Sequence, residues 1–325
     1  MKPLNQWKNY EQFLSAPRSQ RYLKRCYEQL GQNQNIDELS YRNCYSFIYY
    51  LTHGRRHYEL AEKAPLELQP VLQYYGMVQL IKCCLLTVDP LYPESTILLA
   101  HGVTTRKRKK QNYLFLDDEI KIQRNGLFPY FSEQMFHMKH LEGDKIQMNK
   151  LFGQIPEINE LFSQLNRRPY LIEVDCSKDG RIFSIPNEIL DHLHMTANRF
   201  TTFLTEQINP AEISTTVQPS TINITVKDQN AFKRHNTLFK KSLDGKWFIP
   251  ITRDGFQNLH EVMVHYLLLY NLSMICRYET EWWSELFHTY SSDDYPFISQ
   301  FLAFSKRKVP YLLLNYLDEK RVPNL

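Results

Sequence analysis

Five adjacent cations, Arg106-Lys107-Arg108-Lys109-Lys110, form the densest charge in this chain. Such side chains neutralise phosphates, so the run is a candidate phosphate- or nucleic-acid-binding loop. Shorter basic groups recur at Arg167-Arg168, Lys233-Arg234-His235 and Lys306-Arg307-Lys308. A second constellation is Arg277-Tyr278 followed by Trp282-Trp283. A guanidinium over aromatic faces makes a cation–π or stacking site, or else these rings close a core at a helix end.

Other chemistry fails on spacing. His260 and His265 bracket a glutamate as in a zinc-protease helix, but they stand at i and i+5. That separates them by about 140° around the axis, too far to share one metal. His137 and His140, at i and i+3, could face a common ligand but have no acidic partner at useful spacing. Asp117-Asp118-Glu119 reads as a solvated turn before Ile120. The ten glycines are scattered, with no two inside four residues, which removes GxGxxG fingerprints. Phosphate loops of the GxxxxGK[ST] type and GxSxG elbows are also missing. Six cysteines are spread along the chain without a CxxC pair. No metal site and no cofactor is expected.

Composition bounds the class. Of 325 residues, 43% are hydrophobic and 23% charged, a globular balance that disfavours disorder. The net charge of +4 is too weak by itself to imply nucleic acid. The first residues lack the apolar run of a signal peptide. The longest apolar stretch, residues 262–276, is interrupted by His265, Asn271 and Ser273 and is too short to span a bilayer. Free thiols without an export signal point to the cytoplasm.

Periodicity supplies the elements. Helical spacing is expected over residues 18–30, over 37–62 with Asp37 as N-cap, and from Pro65 to Pro90. The last of these is apolar around most of its girth, as a central helix would be. Period two then takes over. Residues 170–176 and 181–185 flank Lys178-Asp179-Gly180, and 238–242 and 246–251 flank Asp244-Gly245, as hairpins do. Residues 213–217 and 221–226 are two more strands around Pro219. Helices are expected at 148–165 and 187–207, then at 259–277, 279–290, 295–306 and 309–320. This order predicts an α+β fold with an antiparallel or mixed sheet. In that arrangement a helical bundle of N- and C-terminal helices carries a β-rich inserted segment. The expected divisions are 1–110, 111–255 and 256–325.

The combination Pro65-Leu66, Tyr74-Tyr75-Gly76-Met77, Leu80-Ile81-Lys82, His101-Gly102, His265-Tyr266, Leu272-Ser273, Arg277-Tyr278 and Trp283 resembles the YaaC-like family of Bacillus-type bacteria. The likeness runs along nearly the whole chain. It implies no catalytic residues. Genes of the family often neighbour that for IMP dehydrogenase, which implies a cytosolic protein tied to purine-nucleotide metabolism, as partner or regulator of an enzyme. A more remote resemblance is to HEPN helical bundles, several of which are RNases with Arg, four to six residues, then His. Arg253 and His260 fit that spacing. The resemblance implies that Arg253 would hold a phosphate and His260 would act in acid–base chemistry.

The leading expectation is a non-catalytic interaction or regulatory protein with a protein partner. The alternatives are an RNA-binding protein or ribonuclease, using Arg253, His260 and residues 106–110, and a nucleotide sensor with phosphates on the basic loop.

Overall fold

The computed structural model describes residues 6–31, 35–105, 113–208, 213–227, 232, 237–256, 259–290 and 292–321. Its helices, in chain order, are α1 (Gln6–Tyr10), α2 (Ala16–Gln29), α3 (Ile36–Lys63), α4 (Gln69–Leu85), α5 (Leu127–Phe136), α6 (Met148–Phe152), α7 (Pro156–Gln164), α8 (Glu188–Leu193), α9 (Ala197–Gln207), α10 (Glu261–Tyr278), α11 (Thr280–Thr289) and α12 (Asp294–Glu319). The strands are β1 (Val103–Thr105), β2 (Glu119–Ile122), β3 (Lys145–Gln147), β4 (Leu171–Cys176), β5 (Ile182–Pro186), β6 (Ile213–Val217), β7 (Thr221–Val226), β8 (Lys240–Lys241) and β9 (Trp247–Pro250). The fold is α+β, as the change of period predicts. Two compact units form, one from residues 1–148 with 262–325 and one from 149–261.

In the first unit, α3 and α4 approach closely because each carries a glycine at the crossing. A Cβ on Gly54 would lie 2.9 Å from the Leu80 side chain, and one on Gly76 would lie 2.9 Å from the Tyr58 ring. Twelve of the seventeen residues of α4 are buried, so its apolar girth is explained by neighbours on several sides. Helix α12 is one of them. Gln73 of α4 donates its Nε2 to the Leu302 carbonyl at 3.0 Å. Asp37 lies inside the first turn of α3, not at its cap, and pairs with Lys24 at 2.5 Å.

The two expected helices at 295–306 and 309–320 are one helix, α12, continuous through Pro310. An internal proline costs about 3 kcal/mol. Val309, Leu313, Leu314 and Leu317 are all buried, and Tyr10 donates its hydroxyl to the Pro310 carbonyl. Packing therefore overrides the local breaker. The sheet β1–β2–β3 is antiparallel throughout and belongs to this unit.

The second unit holds a six-stranded sheet of order β6-β7-β5-β4-β9-β8, with every described pair antiparallel. Strand β7 alternates strictly, burying Ile222, Ile224 and Val226. Ile189 and Leu193 of α8 and Phe200 and Leu204 of α9 join those residues in one core. The helix expected over 187–207 is split because His194 takes a left-handed conformation between α8 and α9. Thr196 then caps α9 by accepting from the Arg199 amide at 3.3 Å. The helix expected over 148–165 breaks ahead of Pro156, which occupies the first position of α7.

Candidate functional site

On α10, Tyr266, Tyr270, Ser273 and Arg277 recur at i, i+4, i+7 and i+11, which places them on one stripe. That stripe meets Tyr74 and Tyr75 of α4 and His101 of the segment leading into β1. His101 is positioned by the backbone around it. Gly102 has φ +79°, and Gly126, at φ +122°, lies so close that a Cβ on it would stand 2.4 Å from the Gly102 nitrogen. The Leu127 amide donates to the Ala100 carbonyl at 2.7 Å and the Phe128 amide to the His101 carbonyl at 3.1 Å.

Three groups then close a ring of hydrogen bonds. The Tyr74 hydroxyl donates to the Tyr266 hydroxyl at 3.0 Å, and Tyr266 donates to the His101 carbonyl at 2.8 Å. Tyr74 also lies 2.8 Å from Nδ1 of His101. Its single proton goes to Tyr266, so Nδ1 of His101 must be the donor in that contact. The neutral ring is thereby fixed as the Nδ1–H tautomer, with a lone pair on Nε2. The aromatic faces pack edge to face, with Tyr74 5.4 Å from Tyr266, 5.6 Å from Tyr270 and 5.5 Å from His101 between centroids.

Burial pushes the Tyr74 hydroxyl well above its ordinary value, with Tyr266 adding to the rise. Burial also raises Tyr266, against the hydrogen bond from Tyr74, and raises Tyr270, against the Arg277 charge. His101 moves the other way. Burial lowers its pKa, and the positive charges of Arg277 and Lys82 lower it further. Both cations therefore stand close enough to His101 to oppose its protonation.

Arg277 is held by its own helix and by α4. Its Nε donates to the Ser273 carbonyl at 3.0 Å and Nη1 to the Tyr75 hydroxyl at 3.4 Å. The guanidinium carbon lies 5.2 Å from the Tyr278 ring centroid and 5.9 Å from that of Tyr75. Tyr278 itself is 69% exposed. Among the described residues, no carboxylate lies within salt-bridge distance of Arg277 or Lys82. The tryptophans of the same constellation do different work. Trp283 is buried and donates to the Glu67 carbonyl at 3.0 Å, and Trp282 donates to the Tyr113 carbonyl at 3.2 Å. They tie α11 down, while Arg277 reaches toward the tyrosine–histidine cluster through the Tyr75 hydroxyl.

The other sequence candidates lie elsewhere. Residues 106–110 fall outside the described residues. Arg253 is exposed in a turn of 3-10 helix and lines a cleft of about 610 Å³ with Met195, Asn198, Arg199, Phe203 and Glu206. His260 is not among the residues lining that cleft. Burial pulls its pKa down to about 4, with Glu261 opposing and Lys240 reinforcing, so it is neutral at pH 7. His265 is fully buried, 2.9 Å from the Ser305 hydroxyl and stacked on Phe301. Asp118 is also structural, accepting from the Tyr113 hydroxyl at 2.7 Å and Asn271 at 3.0 Å. Among the described residues, no group of three or more His, Cys, Asp or Glu is placed to hold a metal, and no helix is long and apolar enough to cross a membrane.

Tyr270 is the member that motif reading passes over. Its signal is its place four residues after Tyr266 and seven before Arg277, legible only once the helix is assigned. Tyr74, Tyr75, Lys82, His101, Tyr266, Arg277 and Tyr278 all belong to the combination that resembles a known family. Comparison with family models bears on that resemblance: the model for YaaC-like proteins matches residues 11–317. No curated protein and no solved structure matches the chain. The matched span includes every residue of the tyrosine–histidine–arginine cluster, and the chain belongs to the YaaC-like protein family.

Proposed function

We propose that this is a non-catalytic regulatory protein that binds a phosphate-bearing anion beside Arg277, and passes that occupancy to a protein partner. The observation that carries the reading is a pair of cations, Arg277 and Lys82, without carboxylates in reach among the described residues, beside a histidine kept neutral. A half-buried cation with no counter-charge is costly, and an anion relieves that cost. The non-catalytic part rests on the hydroxyls. Tyr74 and Tyr266 are committed to the closed ring with His101, and burial raises both away from neutrality. A nucleophile needs the opposite shift. The tie to purine-nucleotide metabolism that the family resemblance implies makes a purine nucleotide the first ligand to try and IMP dehydrogenase the first partner.

The test is thermal unfolding with inorganic phosphate, pyrophosphate and purine nucleotides. A ligand at a hundred times its Kd stabilises by about 2.7 kcal/mol. At about 2–4 °C per kcal/mol for a domain of 150–250 residues, the wild-type melting point should rise by roughly 5–11 °C. Arg277→Ala should lose that rise while keeping its circular dichroism. If none of these anions moves the wild type, the reading is wrong.

A pH dependence follows from His101. Its pKa is depressed in the free protein by burial, then by Arg277 and Lys82. A bound anion offsets the two cations, so the pKa in the complex is higher. Between those two values the complex takes up a proton, and affinity rises as pH falls. Sulfate is the right probe, because its own charge is constant from pH 5 to 8. Isothermal titration should show tighter sulfate binding at pH 5.5 than at pH 8. The slope should flatten in His101→Asn, which keeps a donor toward Tyr74.

A further inference from the structure

The 28 residues of α3 bury one face, with Asn43, Phe47, Leu51, Gly54 and Tyr58 directed into the first unit. The opposite face is unusual for a solvated helix. Tyr41, Tyr45 and Tyr49 follow at i, i+4 and i+8 and are 60%, 46% and 64% exposed. Their rings form a ladder, with centroids 6.4 Å apart at both steps. Arg42, Arg56 and Lys63 are exposed on the same outer side. Other cations nearby are neutralised: Arg55 contacts Glu59 at 2.7 Å and Glu11 at 3.7 Å, and Lys24 contacts Asp37. Among the described residues, no carboxylate is in salt-bridge reach of Arg42, Arg56 or Lys63.

We infer that this face binds single-stranded nucleic acid, its bases stacking on the tyrosine ladder and its phosphates meeting Arg42, Arg56 and Lys63. Exposed aromatic rings sharing one helix face with cations, Arg42 beside the ladder and Arg56 and Lys63 beyond it, are the arrangement that tracks a strand without reading its sequence. The spacing selects the strand. One step of four residues along a helix is about 6 Å, nearly twice the 3.4 Å between stacked bases in a duplex strand. Successive rings can each take a base only where the bases are already unstacked, which a duplex does not offer. This site is separate from the anion site at Arg277 and does not depend on it.

The test is fluorescence anisotropy of the full chain with a labelled twelve-residue oligouridylate, set against inorganic polyphosphate of equal charge. The oligonucleotide should bind, and log K should fall with log salt at a slope near −2, since three cations each contribute about −0.7. Tyr45→Ala and Tyr49→Ala should each weaken it by about 5- to 150-fold. Neither should change polyphosphate binding, because polyphosphate has no base to stack. Arg42→Glu with Arg56→Glu should weaken both ligands. All four positions are exposed, and circular dichroism confirms the fold of each variant. The proposal is overturned if the tyrosine variants bind oligouridylate like the wild type, or if they lose both polyanions alike. It is also overturned if sedimentation shows a dimer that Tyr45→Ala and Tyr49→Ala dissociate.

Discussion

Gly126→Ala is expected to destabilise the first unit by at least about 3 kcal/mol, lowering its melting temperature in calorimetry by roughly 6–12 °C. Two independent costs add at this position. The backbone stands at φ +122° and ψ −176°, a region that is essentially open only to glycine. The added methyl would also lie 2.4 Å from the nitrogen and 2.5 Å from the Cα of Gly102, and 2.9 Å from the Ala100 carbonyl oxygen. These are backbone atoms, so no side chain can swing away. The atoms that must move flank His101, so the variant should also lose the anion-induced stabilisation at temperatures where it is still folded. A loss below about 1 kcal/mol would show that the segment relaxes easily and does not fix the histidine.

Asp294→Ala should cost a comparable amount, about 3–5 kcal/mol by denaturant unfolding. Asp294 is 1% exposed, and its two oxygens accept from the Phe115 amide at 2.8 Å and the Leu116 amide at 3.1 Å. Ser292 bonds to the same carboxylate at 3.1 Å. Burial raises the Asp294 pKa, and the two amides oppose that rise. Removing the carboxylate strands two buried donors, which costs more than the net worth of the bonds themselves. Asp294→Asn keeps one oxygen acceptor at nearly the same volume and should lose about half as much. Equal losses for alanine and asparagine would mean that the charge matters and the acceptor geometry does not.

What the sequence shows and what it hides divide along the range of the interaction. Helices α3, α4 and α10 are legible because each keeps a 3.6-residue pattern for four turns or more. Hairpins β4–β5 and β8–β9 are legible from Asp-Gly turns between alternating runs. Strands β1, β2 and β3 are not, because three or four residues are too few to establish a period of two. Pro310 misleads in the other direction, since its local cost is real and only the burial of its neighbours outweighs it. The candidate site follows the same rule. Arg277 and Tyr278 declare themselves as neighbours in the chain. The ring joining Tyr74, Tyr266 and His101 does not, since Tyr74 and Tyr266 are 192 residues apart and one link runs through a backbone carbonyl.

Because the first unit is assembled from both ends of the chain, its order of manufacture differs from its order of packing. Helix α4 leaves the ribosome about two hundred residues before α12, the helix that covers part of its apolar girth. At roughly 5–20 residues per second, that interval is about 10–40 s. During it, Tyr74, Met77, Ile81 and Cys84 have no permanent cover from the C-terminal helices. Of its main packing partners among the α-helices only α3 precedes it in the chain, so until the C-terminal helices arrive α3 alone can cover it from the N-terminal side. Expression at lower temperature or with added holdase should raise the yield of folded protein more than any change to the second unit, whose core closes within one contiguous stretch.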